Sequence, residues 1–139
     1  MVPAPAYWLH WADSEVARVV RDGADVQVHL AAAQVVKLPD EPGGPGERAV
    51  GHVRHLVLQL PQATLDANAP LGDAIGRLSH GRLSLGDHAS ATGLAVPCQH
   101  PVRVQLSLAF ANGTALDITA AGLQAGFQGE PDYRPSLAC

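Results

Sequence analysis

Aromatic side chains are scarce in this chain, with two Trp, two Tyr and two Phe among 139 residues. Its interior therefore has to be filled by Val, Leu and Ala rather than by stacked rings. Basic residues are also few, nine Lys and Arg against thirteen Asp and Glu, for a net charge of −4. Neutralising a phosphate backbone takes a clustered Lys/Arg surface, and nine scattered cations do not make one, so nucleic acid is excluded as an expected partner. The two cysteines, Cys98 and Cys139, fall short of the disulfide framework of a small secreted domain. Cys139 is expected to be an exposed thiol. No apolar run approaches the ~20 residues of a membrane span. The opening MVPAPAYWLHW lacks the basic start and the apolar stretch of roughly 7–15 residues that mark a signal peptide. The expectation is a cytoplasmic protein with no membrane partner.

What is present is apolar and rich in turns. With 47% hydrophobic and 16% charged residues, the chain is globular rather than disordered. Its length suits one domain, residues 1–139, with one sizeable core. Fourteen Gly and eleven Pro favour short strands over long helices. Residues 1–12 read as an extended arm carrying Tyr7, Trp8 and Trp11, which cover one end of the core or, if exposed, form a contact surface.

Further along, EVARVV and DVQVHL flank Asp22-Gly23, a hairpin signal. Residues 39–47, PDEPGGPGE, hold three Pro, three Gly and three acids, a flexible loop that cannot be a strand. Arg48 to Leu65 reads as one long alternating stretch, and residues 66–76 as at most a short helical turn capped by Asp66. LSHGRLSLGD, residues 78–87, reads as a tight hairpin turning at His80-Gly81. Pro101–Phe110 alternates over Val102, Val104, Leu106, Leu108 and Phe110. It leads into Asn112-Gly113, the signature of a type I′ turn.

One pattern occurs three times: VHLAAAQV (28–35), LQLPQATL (58–65) and LDITAAGL (116–123). Aliphatic residues at i and i+2 are followed by Ala at i+5 and an aliphatic residue at i+7. A regular strand would turn the last two to the opposite face. One inserted residue, a β-bulge, returns all four to the same face. Whether a true repeat or a shared device, the pattern bends strands and lets a small sheet fold over or curl. The expected fold is all-β and antiparallel, about seven or eight bulged strands in a sandwich or partly closed barrel.

Candidate chemistry is thin. His52 and His55 are placed on a strand, where their spacing points them to opposite faces. Cys98-Gln99-His100 offers two zinc-ligand types, but no second cluster supplies the rest of a site. His10, Asp13 and Ser14 lie too close together for a triad assembled around a strained nucleophile turn. Asp13 or Ser14 is expected instead to close a turn by bonding backbone N–H groups. There is no phosphate-binding glycine loop and no H-E-x-x-H. Asp40, Glu41 and Glu47 sit in the Pro/Gly loop, without the burial that tunes a catalytic carboxylate. No catalytic residue and no cofactor is expected.

The segment LHWADSEVARVVRDGADVQVHLAAAQV resembles the opening of a group of small, mostly uncharacterised bacterial β-proteins. Those begin with an aromatic-rich H-D-S turn, then a hairpin and L-x-L-x-x-A-x-V, and some are grouped with immunity proteins of toxin systems. The resemblance implies a protein that works by binding. In this chain His10 and Asp13 are separated by Trp11 and Ala12 rather than adjacent, so no functional residue carries over.

The expectation is a non-catalytic protein-binding module, immunity-like or self-associating, with Tyr7, Trp8, His10 and Trp11 as its candidate surface. Low-charge strands such as AAAQVV leave few of the charges that discourage edge pairing. The competing expectation is a small-molecule or metal site in the mouth of a β-barrel, lined by Trp8, Trp11, His10 and His100, with Cys98 and His100 as the metal candidates.

Overall fold

A computed structural model describes residues 4–38, 50–65, 69–87, 91–130 and 132–135. The Pro/Gly loop 39–47, Asp66 and Cys139 lie outside them. The protein is all-β and antiparallel. Its strands are β1 (Tyr7–Asp22), β2 (Asp25–Lys37), β3 (Val50–Val53), β4 (Leu56–Leu60), β5 (Gly76–Leu85), β6 (Gly93–Val96), β7 (Cys98–His100), β8 (Val104–Phe110), β9 (Ala115–Ala120), β10 (Leu123–Phe127) and β11 (Arg134–Pro135). They form one sheet in the order β7-β10-β4-β2-β1-β5-β8-β9, with β6 added to β1, and β3 added to β2 and carrying β11. The sheet is not closed into a barrel. The short helical turn expected in 66–76 is a 3-10 turn at Leu71–Asp73.

The described residues form eleven strands instead of seven or eight because several stretches that read as continuous are broken. The span through HVRHLVLQL splits at Arg54-His55, where His55 takes a φ of 68°, a backbone conformation a strand cannot hold. His52 therefore sits in β3 and His55 between strands. The expected arm 1–12 is also corrected: Tyr7–Ala12 is the first half of β1, paired with β2 and β6.

The β1–β2 hairpin turns at Gly23, with φ 61°, between the paired Asp22 and Asp25. Both strands are re-phased along their length. In β2, Val28, Leu30, Ala33 and Val35 are all buried, while Ala31 and Ala32 both face outward. The single extra residue between the pairs Glu15–Ala32 and Val16–Leu30 is Ala31, the bulge expected from VHLAAAQV. The other two copies behave differently. Pro61 has no N–H to continue a ladder, and β4 stops at Leu60, turning at Gln62 with φ 47°. β9 keeps regular alternation through Leu116, Ile118 and Ala120, then ends, leaving Ala121 exposed. A Cβ on the next residue, Gly122, would meet the His100 carbonyl at 3.1 Å. The shared pattern thus marks one bulge and two strand ends.

β1 has the larger irregularity. His10 pairs with Gln34 and Glu15 with Ala32, so Trp11, Ala12, Asp13 and Ser14 span the length of Ala33 alone. Asp13 adopts φ 68°. Ser14 is fully buried, and its Oγ donates to the His10 carbonyl at 2.7 Å and accepts from the Gln34 N–H at 2.9 Å. The hydroxyl is spliced into the ladder where a backbone bond is missing. It bonds a backbone N–H as expected, though in mid-strand.

His80-Gly81 is not a turn. β5 runs through it, bulged at Ser79. A Cβ on Gly81 would lie 2.5 Å from Trp11 Cβ, so the glycine is the seat for that indole. In the last hairpin Val104, Leu106, Leu108 and Phe110 face inward, but Val102 lies outside the strand and is 43% exposed. Its turn is a three-residue loop rather than type I′. Gly113 N–H donates to the Phe110 carbonyl and Phe110 N–H to Thr114. Gly113, with φ 92°, carries the positive φ and Asn112 does not; Asn112 Oδ1 instead accepts from the Thr114 N–H. One apolar cluster fills the interior, with Trp11 its largest fully buried side chain.

Candidate functional site

The four residues expected to form one surface are divided by the two-residue period of β1. Tyr7 and Trp11 point inward and are buried; Trp8 and His10 point outward and are half-buried. Tyr7 packs edge-on to Phe127 at 5.8 Å and stacks on Tyr133 at 5.9 Å, with Lys37 Nζ 4.8 Å above the Tyr133 ring. Burial and the neighbouring Tyr133 push the Tyr7 hydroxyl above its ordinary pKa. Tyr7 and Trp11 are therefore corrected from surface to interior. Only the first of them closes an aromatic end of the core.

Trp8 belongs to an outward row assembled from four strands. Strand pairing sets Val50 beside Val36, Val36 beside Trp8, and Trp8 beside Ala95. Val50 is 39% exposed and the other three are half-buried. A Cβ on Gly93 would collide with the Trp8 indole at Nε1 and Cε2, so the ring lies across β6 where only glycine admits it. The neighbouring row is polar: Arg134, His52, Gln34, His10 and Gly93 are paired in sequence. The face thus carries an apolar strip bearing a tryptophan, bordered by imidazoles and an amide.

The remaining candidates do not converge. Ser14 has both hydrogen-bonding roles of its hydroxyl engaged with backbone, while Asp13 is exposed and 3.8 Å from Arg77. Cys98 is buried in the core, and burial pushes its thiol up to about 11, as apolar surroundings do to a structural cysteine. His100 is half-buried at one end of an outer groove. Among the described residues no three His, Cys, Asp or Glu side chains are grouped to hold a metal ion. The sheet is open, so the barrel mouth of the competing expectation does not form, and Trp11 is not available to line one. No helix of the described residues is long and apolar enough to cross a membrane.

Reading the sequence alone missed Val36, Val50, Ala95 and the role of Gly93. They come from β2, β3 and β6, and only the pairing brings them together. A usable signal existed in the outward positions of β2, where Gln34 and Val36 alternate with Ala33 and Val35. Set against protein-family models, curated proteins and solved structures, the chain matches none.

Proposed function

We propose that the protein is a non-catalytic binding module that docks a protein partner on the face centred on Trp8. The observation that carries this reading is the outward row Trp8, Val36, Val50 and Ala95, with the indole lying against Gly93. A pre-positioned tryptophan loses little freedom on binding and supplies a large apolar contact. The polar row through His10 and Gln34 gives the strip a hydrogen-bonding border. Toxin neutralisation, implied by the resemblance of the N-terminal segment, is one form of this reading, since such a protein acts by occupancy. The net charge of −4 suits a basic partner. The free, buried Cys98 fits a reducing compartment, and a cytoplasmic setting is part of the reading.

The test is a photo-crosslinking residue in place of Val36, irradiated in cells of the source organism. The expected result is an adduct of one discrete mass that disappears when Trp8→Ala is added. An adduct of twice the chain's mass would make the partner a second copy. No adduct, or one indifferent to Trp8→Ala, would count against the docking face.

A further inference from the structure

A second set of residues, on a different part of the sheet, forms a groove that the docking face does not use. Strand pairing aligns Gln27 with Gln59, Gln59 with Gln124, and Gln124 with Gln99. Four glutamines thus stand in one outward row across β2, β4, β10 and β7. Beside the last three lies a groove of about 310 Å³ lined also by Asp25, Pro61, Pro101 and Gly122. Just past the ends of β4, β10 and β7, Gly122 lies between Pro61 and Pro101 beside the amide row. The groove thus has glutamine carboxamides along one side and, as its floor, two prolines with a glycine between them. A Cβ on Gly122 would lie 3.6 Å from Pro61 and 3.8 Å from Pro101, so any side chain there would fill the dip.

Its chemistry selects a ligand class. Each amide offers two donors and an acceptor, which suits groups that both donate and accept. No Lys or Arg lines the groove; His100, at one end, is its one basic side chain and Asp25 its one carboxylate, a lining without the clustered cations or bidentate fork that hold phosphates. Asp25 Oδ1 is anchored by the Gln62 N–H at 3.1 Å. The groove runs across the strands, so its amides recur at the inter-strand distance of roughly 4.8 Å. An extended peptide shows like-facing groups every ~6.6–6.8 Å and falls out of step. A sugar has C–H groups on its ring face for the prolines and hydroxyls on its edge for the amides. The floor from Pro61 to Pro101 crosses two strand spacings, about 10 Å, the length of two rings.

We propose that the groove between the Gln59–Gln124–Gln99 row and the Pro61–Gly122–Pro101 floor is a binding site for a neutral glycan segment of about two sugar rings. The probes are cellobiose, maltose and chitobiose, titrated at millimolar concentrations into the full ¹⁵N-labelled chain and followed through the side-chain amide signals of glutamine. The expected result is saturable shifts at Gln59, Gln99 and Gln124 with at least one disaccharide, and at least a tenfold loss of affinity in Gln124→Leu. Gln128→Leu, at an exposed position outside the groove, is expected to bind like the parent. Dispersion of the backbone spectrum shows that each variant is folded. The proposal is overturned if none of the three sugars gives saturable shifts at these amides, if Gln124→Leu binds unchanged, or if glucose 6-phosphate binds more tightly than the neutral sugars.

Discussion

At the residue scale, the two glycines that face tryptophans carry more information than any ionisable group. Gly81 accepts Trp11 from within the sheet and Gly93 accepts Trp8 from outside it. Gly81→Ala is expected to lose about 1–3 kcal/mol or more by overpacking, measured by urea unfolding. Ser14→Ala leaves the Gln34 N–H without its acceptor and is expected to cost about 1–3 kcal/mol in the same measurement. His29 gives a pH signature. Burial, with a smaller effect from Arg18, lowers its pKa, so near and below the ordinary histidine value of about 6.5 the unfolded chain binds more protons than the folded one. Stability should therefore fall as pH drops from neutral through that range. His29→Gln is expected to flatten the slope, and an unchanged slope would assign it to other groups. Ser14 was legible as a backbone-bonding residue because small hydroxyls do little else in an apolar strand. Gly81 was not, because a glycine beside His80 reads the same whether it turns a hairpin or admits a ring.

At the element scale, the spacing in VHLAAAQV was enough to locate a bulge, since four buried positions with an odd interval leave no other strand geometry. Deleting Ala31 would remove the bulge and leave Ala33 and Val35 in phase with Val28 and Leu30, whereas inserting a further Ala after Ala31 would send Ala33 and Val35 to the outer face and is expected to abolish cooperative unfolding. Ala31→Ser keeps the residue count and is expected to stay within about 0.5 kcal/mol of the parent. The same spacing misled at LQLPQATL and LDITAAGL. In the first, Leu58, Leu60 and Ala63 are buried but Pro61 ends the strand; in the second, Ala120 is buried and Ala121 exposed, and the close approach of Gly122 to His100 ends the strand. A spacing of apolar residues does not say whether the ladder continues between them, and where it ends the inward positions can shift, as Ala120 and Ala121 show.

At the scale of the whole molecule, the all-β antiparallel class followed from turn density and alternation, but the strand order did not. β1 lies beside β2, β5 and β6, and β4 between β2 and β10, neighbours that no local signal specifies. Both proposed surfaces depend on this order, because each gathers one or two residues from each of several strands. The continuity of the core has its own test. Cys98 lies inside it, so in a Cys139→Ser background its thiol should react with a disulfide reagent only through opening of the fold. Labelling in proportion to the globally unfolded fraction is expected, and rapid labelling under native conditions would mean that the β7 end opens alone.

The division of labour between the tryptophans underlies the whole account, with Trp11 holding the interior and Trp8 kept for a partner. Urea unfolding of the two alanine variants tests it most directly. Trp11→Ala is expected to lose about 3–5 kcal/mol and Trp8→Ala less than half as much. Equal losses would make Trp8 a structural residue and contradict the assignment of that face to binding.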